Sequence, residues 1–426
     1  MTIANTKEKL DKRFEEIEKL IPEKIDISQF KELSTDELLE ILGLTIKQDN
    51  KNKIVAFLCE LSAYTENSQF NISFNAPSST GKSYIPLEIS SLFPKEDVLK
   101  LGNCSPTAFY HEQGEYDKEK NITTIDLSRK IIIFLDQPHN SLLIKLRSLL
   151  SHDEKEIQSK STDKNQKGGN RTKTVIIKGF PAVIFCSAGL KIDEQEGTRF
   201  LLLSPETGQE KIREAIHEKI KKETDNLNYK DDIKSNPERN SLKLRIKAIK
   251  NEHIDNVKIS DHKKVEEQFL LKRKLLKPRH QRDVGRLISL IKILALLNLW
   301  FRKRENNVII ANDLDIEEAI KIWRKISESQ EYNLPPYIYD LYKDVLVPLW
   351  EEKNDDLFDD SGLTRKMIFK KHFEVYGRTL EDFKLRQEII PMLETAGLIN
   401  QEADTKDKRK LLIFLPDSSV DSIKNI

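Results

Sequence analysis

Short apolar segments alternate with amphipathic stretches between residues 50 and 210. An amphipathic helix is expected at residues 50–64, directly before the first apolar segment. The apolar segments have the length and composition of strands, which are expected at residues 70–75, 98–102, 130–135, 182–187 and 200–204. Because helical patterns separate most of them, the chain is predicted to be an α/β protein whose mostly parallel, five-stranded sheet is covered on both faces.

The pattern changes on either side of this region. Ser34 and Glu37 form a capping box, and Gly43 marks the expected end of the helix that they begin. Residues 211–265 are dominated by Lys, Glu, Asp and Asn, which favours a solvated helical insertion or a partly disordered segment. The predicted domains are an N-terminal helical segment (1–45), the α/β core (46–210), a charged helical insertion or linker (211–265), a helical lid (266–350) and a winged-helix-like domain (351–426).

Amino-acid composition mainly shows which classes of protein and site the sequence does not fit. Charged residues make up 33% of the 426 residues, but the signs nearly cancel to a formal +1, so only local clusters can indicate a nucleic-acid partner. The three cysteines are far apart and indicate neither a disulfide framework nor a zinc site. The N-terminus lacks a signal-peptide pattern, and the longest apolar run, 287–300, is shorter than the ~20 residues of a membrane span. We expect a soluble, cytoplasmic protein with no membrane partner.

One short run carries most of the functional information. It consists of Ala76, Pro77, Ser78, Ser79, Thr80, Gly81, Lys82 and Ser83. The run matches the phosphate-binding loop pattern, in which backbone N–H groups surround a polyphosphate, the lysine reaches the terminal phosphates and the serine hydroxyl binds Mg²⁺. A strand precedes it and a helix is expected at residues 84–93, so the run predicts a site for ATP and Mg²⁺. A chance turn rich in Ser and Thr is the alternative.

The strand at 130–135 ends in an acid, Asp136. A carboxylate at this end of a sheet strand lies where ligands bind in open α/β folds, and it is expected to hold Mg²⁺ together with Ser83. Many ATPases place a glutamate next, whereas this chain has Gln137. An amide cannot accept a proton but can orient a water molecule, so hydrolysis is slow or another group, such as His139 or Glu112, serves as the base.

Two more polar side chains stand at strand ends. Ser187 closes the strand at 182–187, where it either contacts the γ-phosphate or the attacking water, or is an ordinary strand-end serine. Arg199 precedes the last strand, where it either neutralises charge on the γ-phosphate of a neighbouring subunit or is a surface arginine.

This order of motifs resembles that of the AAA+ ATPases, and an insertion narrows the resemblance. Two strand-like arms within residues 156–178 flank Gly168 and Gly169, which predicts a β-hairpin just before the Ser187 strand. It is similar to the hairpin of the helicase branch of AAA+ ATPases, which includes minichromosome maintenance and superfamily-3 replicative helicases. Residues 158–178 contain the cations Lys160, Lys164, Lys167, Arg171, Lys173 and Lys178 against the single acid Asp163, so six minus one gives +5.

The resemblance implies functions for these segments. The hairpin is expected to line the pore of a hexameric ring and to grip single-stranded or forked DNA, with strong salt dependence; a solvated basic loop is the alternative. The helix that contains Arg282 and Arg286 resembles the lid of minichromosome maintenance proteins, so one of these arginines would contact a nucleotide phosphate, unless both are helix-surface charges. In the winged helix, Lys384 and Arg386 are expected to point outward from a groove-reading helix, although such domains also bind proteins or merely pack.

Together these observations predict an ATP-dependent DNA helicase or translocase of the compact type found in plasmids, phages and integrative elements, with a replication or mobile-element protein as a further partner. The alternative is an ATP-dependent switch, loader or regulator that binds DNA or a partner without unwinding, which Gln137 favours. A P-loop protein that acts on a small substrate is the third hypothesis, and the basic hairpin argues against it.

Overall fold

The computed structural model describes residues 25–163, 171–188, 198–271, 273, 275–354, 362–404 and 407–416, with the backbone alone at 161–163, 171 and 354. Its strands, in chain order, are β1 (Asn71–Asn75), β2 (Val98–Leu101), β3 (Glu115–Asp117), β4 (Ile122–Asp126), β5 (Ile131–Phe134), β6 (Glu156–Asp163), β7 (Arg171–Lys178), β8 (Ala182–Ser187), β9 (Phe200–Leu203), β10 (Asn256–Ile259), β11 (Lys303–Glu305), β12 (Val308–Ala311), β13 (Asn400–Ala403) and β14 (Leu411–Phe414).

Its helices are α1 (Thr35–Gly43), α2 (Asn50–Ser62), α3 (Tyr84–Ser90), α4 (Asn140–Lys145), α5 (Arg147–Leu150), α6 (Gln209–Thr224), α7 (Asn226–Ser235), α8 (Pro237–Asn251), α9 (His262–Leu270), α10 (His280–Leu297), α11 (Asp313–Glu331), α12 (Pro336–Leu341), α13 (Val347–Asn354), α14 (Arg365–Tyr376), α15 (Asp382–Lys384) and α16 (Ile390–Thr395). The predicted capping box of α1 is present, and the helix ends at Gly43 as expected.

The main sheet confirms the predicted α/β core. Its order is β2-β5-β8-β1-β9 and every neighbouring pair is parallel. Strands β1, β5, β8 and β9 are buried along their whole length, which explains their continuous apolar runs. One face of the sheet packs against α1–α3, α8 and the lid, and the other packs against α4 and α5.

A second sheet, with the order β3-β4-β7-β6, contains the predicted hairpin. Arms β6 and β7 pair antiparallel, and β7 also pairs parallel to β4. The short β3–β4 ribbon was not predicted, because β3 is polar and exposed along its whole length. Ile125, Val175 and Ile177 share an apolar cluster with Phe134 and Phe185 of the main sheet, so the hairpin is rooted in the core.

Residues 237–251 differ from the expected solvated segment. Helix α8 buries Leu242, Ile246 and Ile249 against the core that joins the main sheet to the lid. Arg245 is also buried and donates to the Leu297 carbonyl at 2.9 Å and to Asn298 Oδ1 at 3.0 Å. Burial lowers the pKa of Arg245 to about 10. The charged composition concealed this apolar stripe, whose members recur at helical spacing.

Three short strands form a small sheet in the region predicted to be the lid and just before it. Strand β10 pairs parallel to β12, which also pairs with β11, so residues 256–259 already belong to this unit. Helix α10 packs on the small sheet, and both α10 and α11 pack on α2. Helix α11 also covers the edge of the main sheet, where the Gln330 amide donates to the Leu202 carbonyl at 2.7 Å and accepts from its N–H at 3.2 Å.

The C-terminal region has the predicted winged-helix order of two helical stretches followed by an antiparallel strand pair, and it has its own apolar core. Its second helical stretch contains a π-helical turn at Leu385–Ile389, two residues before Pro391. A second π-helical turn lies at Tyr342–Leu346, two residues before Pro348. A proline lacks the N–H of a regular helical turn, so the wider turn accommodates each proline without ending the helix.

Within the described residues, no helix is both long and apolar enough to cross a membrane.

Candidate nucleotide-binding site

The phosphate-binding loop connects β1 to α3 and is fixed at both ends. The Ala76 N–H donates to the Ser187 carbonyl at 3.2 Å, which ties the start of the loop to β8. The Tyr84 N–H donates to the Gly81 carbonyl at 3.0 Å as α3 begins. Ser79 and Gly81 have φ values of 65° and 88°. These left-handed positions bend the backbone into a concave loop, and glycine adopts such a conformation without strain.

The loop is open to a ligand. Ser78, Ser79 and Gly81 are exposed, and Lys82 and Ser83 are half-buried. Ala76 is fully buried beneath the loop, which accounts for a small side chain at the first position of the motif. Thr80 Oγ1 donates to the Pro77 carbonyl at 2.9 Å and braces the loop from within.

Asp136, Gln137 and Ser187 meet at the carboxyl ends of β5 and β8. Asp136 is exposed and accepts from the Gln137 N–H at 2.9 Å. Ser187 is buried and its hydroxyl donates to Gln137 Oε1 at 3.0 Å. The three side chains line one cleft with His139, as expected for polar ends of adjacent parallel strands.

Cys186 links these residues to the loop, a role that the sequence did not indicate. Its thiol lies 3.5 Å from the Lys82 carbonyl. Burial raises the pKa of this thiol to about 12. The positive charge of Lys82 lowers this pKa, and the negative charge of Asp136 raises it. Lys82 and Asp136 therefore act electrostatically on the same point of β8. The structure thus brings Asp136, Gln137 and Ser187 together, with the Lys82 backbone beside the adjacent Cys186.

The two alternative bases lie in other settings. His139 Nδ1 accepts from the Ser141 N–H at 3.1 Å, so His139 caps α4. Glu112 lines a separate cleft beside β4.

Arg199 lies at the root of the hairpin. Its Nε donates to Ser151 Oγ at 2.5 Å, in the turn between α5 and β6. The predicted contact with a neighbouring subunit stays a prediction.

Arg282 and Arg286 both approach Thr198. Arg286 donates to the Thr198 carbonyl at 2.7 Å and to Asp283 Oδ1 at 3.0 Å, and Arg282 donates to the Thr198 hydroxyl. Arg286 is buried, which lowers its pKa to about 10. The side chains that line the cleft at the phosphate loop do not include either arginine. Their contact with a nucleotide phosphate stays a prediction.

The predicted DNA-binding cations occupy different positions on the hairpin. Lys160 is exposed and pairs across the strands with Thr174, whereas Lys173 is half-buried and pairs with Ser161. Opposed residues share a face of a β-ribbon, so Lys160 lies on the open face and Lys173 on the face of Val175 and Ile177. Lys164, Lys167 and the side chain of Arg171 lie outside the described residues.

The prediction that Lys384 points outward from a groove-reading helix is wrong. Its Nζ lies 3.5 Å from the Ala188 carbonyl, directly after Ser187. The C-terminal domain turns this face towards the core, which the pattern of a single helix does not reveal. Arg386 is exposed and its Nε lies 3.4 Å from Asp382 Oδ2.

A family comparison agrees with this core. The model of one protein family, the MTBMA_p00010 P-loop domain, matches residues 26–252, which are 227 of the 426 residues. Among solved structures, a full-length MCM homolog from Methanopyrus kandleri is similar, with a TM-score of 0.44 and 12% sequence identity. The similarity covers 69% of this chain and 59% of that protein, so the chain spans less than two thirds of its length. No curated protein matches.

Proposed function

From the premise that this chain belongs to the MTBMA_p00010 P-loop domain family, we propose that it is an ATP-dependent DNA helicase or translocase that serves the replication of a mobile element. The family establishes a P-loop NTPase domain, and the finer function depends on one observation. The basic hairpin continues after three residues into β8, the strand that ends at Ser187.

The short connection supports mechanical coupling between nucleotide and hairpin. The Leu127 N–H donates to the Lys178 carbonyl and the Gly179 N–H donates to the Lys155 carbonyl, both at 2.8 Å, which closes the base of the hairpin. Phe180 then contacts His152 edge-on at 4.7 Å between ring centroids, next to the Ser151 that holds Arg199. A displacement of Ser187 or Arg199 would therefore reach the hairpin through packed neighbours.

Nucleotide chemistry at this site would proceed from the loop and the strand ends. Lys82 would bind the terminal phosphates, Ser83 and Asp136 would hold Mg²⁺, and Ser187 with Gln137 would orient the attacking water. Mg²⁺ would supply charge neutralisation of the phosphates. Arg199 would act on the ATP of the next subunit in a hexameric ring around DNA.

The test is Lys82→Ala with Lys370→Ala as the matched control. Lys370 lies on α14 and is largely exposed, and it forms a 3.8 Å ion pair with Glu374. We expect Lys82→Ala to lose ATP-dependent unwinding of a forked duplex and the control to retain it. Unwinding that persists in Lys82→Ala would refute the proposed site.

The bond between Ser187 and Gln137 favours a second function, an ATP-dependent switch or loader. Gln137 cannot accept a proton from the attacking water, so slow turnover would suit a protein that changes partners with bound nucleotide. An ATPase assay with and without single-stranded DNA separates the two functions. Strong stimulation by DNA supports the motor, and binding of ATP without turnover supports the switch.

A further inference from the structure

Lys384 belongs to the C-terminal domain but lies at the mouth of the phosphate-binding loop. It ends α15, and its ammonium group is 3.5 Å from the carbonyl of Ala188, the residue after Ser187. The side chain is half-buried, and its Nζ lies 5.2 Å from the centre of the Tyr337 ring.

Tyr337 fixes the position of this lysine relative to the core. Its N–H donates to Ser204 Oγ at 3.1 Å, just after β9, and its hydroxyl donates to Glu388 Oε1 at 2.6 Å. The ring is therefore held by the main sheet at one end and by the C-terminal domain at the other. The contact with the Tyr337 ring therefore fixes the position of the Lys384 side chain relative to the core.

A cleft separates the loop from the C-terminal domain at this point. It has a volume of about 680 Å³ and is lined by Pro77, Ser78 and Ala188 on the core side and by Arg378 and Lys384 opposite. That volume is within the range of small-molecule sites, which is about 300–1,000 Å³. The cleft opens beside the first residues of the phosphate-binding loop.

Arg378 and Lys384 line this cleft together with four acids, Glu206, Asp340, Asp344 and Glu381. Burial lowers the pKa of Lys384, and the charges of Arg378 and Lys82 lower it further, against Glu388 and Glu381, which raise it. Glu388 already accepts the hydroxyl of Tyr337, so part of its capacity to accept hydrogen bonds is used. Lys384 lies close enough to Lys82 to be repelled by its charge, and an anion between two cations removes such repulsion. A polyphosphate in the loop would provide that anion.

We propose that Lys384 binds the terminal phosphate of the nucleoside triphosphate held by the phosphate-binding loop of the same subunit. The inference rests on the nucleotide-binding part of the proposed function. The C-terminal domain thereby contributes one cation to the nucleotide site, and this cation distinguishes a triphosphate from a diphosphate.

The test compares Lys384→Gln, Lys384→Arg and Arg386→Ala in the full chain. Glutamine keeps an aliphatic stem over Tyr337 but removes the charge, and arginine restores the charge. Arg386→Ala is the control. It removes a different cation of the same helical stretch, one that is paired with Asp382. Affinities for Mg²⁺-ATPγS and Mg²⁺-ADP are measured by titration calorimetry, and melting temperatures show that each variant is folded.

We expect Lys384→Gln to weaken ATPγS binding about tenfold or more and ADP binding by less than about twofold, as for the loss of a charge-assisted hydrogen bond. Lys384→Arg should recover most of the loss, and Arg386→Ala should bind as the parent does. Unchanged ATPγS affinity in Lys384→Gln, or equal weakening of both nucleotides, overturns the proposal.

The variant Lys82→Ala shows whether a negative result concerns Lys384 alone or the proposed nucleotide site as a whole. If Lys82→Ala loses nucleotide while Lys384→Gln does not, only the assignment of Lys384 is wrong. If Lys82→Ala binds both nucleotides normally, the loop is not the nucleotide site and both proposals fail.

Discussion

At the residue scale, the hydrogen bond between Ser187 and Gln137 bears on the proposed orientation of the attacking water. The serine donates to the amide oxygen at 3.0 Å, and an amide has no group that takes up a proton at neutral pH. A donor can orient a water molecule but cannot remove its proton. We therefore expect the amide of Gln137 to limit the rate of the proposed ATP hydrolysis.

Replacement of Gln137 by glutamate tests this limit. The carboxylate keeps an acceptor for the Ser187 hydroxyl and adds a group able to take up a proton. We expect Gln137→Glu to raise the ATP hydrolysis rate by about tenfold to a hundredfold, at the lower end of general-base effects. Steady-state phosphate release measures the change. Gln137→Ala serves as the control, and a rate in Gln137→Glu no higher than that of the parent would contradict the prediction.

At the element scale, the base of the hairpin depends on one glycine. Gly179 has a φ of 89°, and a Cβ there would lie 2.7 Å from the Ser128 Cα and closer still to its backbone nitrogen. Backbone cannot yield as a flexible side chain does, so the turn that joins β7 to β8 requires glycine. The proposed coupling between nucleotide and hairpin would pass through this turn.

Gly179→Ala is therefore expected to lower the free energy of unfolding by about 3 kcal/mol, through the left-handed backbone and the clash with Ser128. The matched control is Gly285→Ala in the exposed interior of α10, where a Cβ meets nothing within 4 Å. That change should stabilise the protein by about 0.5–1 kcal/mol. Chemical denaturation measures both values, and equal effects at the two glycines would contradict the reasoning.

Elements also show where sequence reasoning succeeds and where it stops. Strands β5 and β8 were predictable because each is buried on both faces and carries a continuous apolar run. Ribbon β3–β4 was not, because the pairing partner of β4 is β7, some 50 residues later. The orientation of Lys384 was not predictable either, because domain packing decides which helix face meets the core. The buried stripe of α8 was present in the sequence but hidden by charged neighbours.

At the scale of the whole molecule, one surface is suited to self-association. Helix α6 has no buried residue, and Ile212, Ile216 and Ile220 are exposed at a spacing of four, hence on one face. The helix is held to the core by polar contacts. In one of them Gln48 Nε2 donates to Glu214 Oε1 at 2.8 Å. An apolar stripe exposed in this way is expected at a subunit contact of the proposed ring.

Ile216→Glu tests that contact. The side chain is 54% exposed, so the melting temperature should hardly change, while the ATP-dependent mass of the assembly should fall. Leu314→Glu is the control, because Leu314 is 57% exposed and lies in the first turn of α11, where an acid is favourable. Light scattering with an ATP analogue and DNA measures the mass. Unchanged assembly in Ile216→Glu would exclude this face, and a strictly monomeric parent would refute the ring.

The parallel pairing of β4 with β7 has a consequence for anyone who shortens this protein. Deletion of residues 156–178 would strip β4 of five paired positions and uncover Ile125, leaving an open edge that invites aggregation. Insoluble material from such a truncation would say nothing about DNA. Charge reversal at the exposed Lys160 leaves the strand pairing intact, so it separates a loss of DNA binding from a loss of solubility.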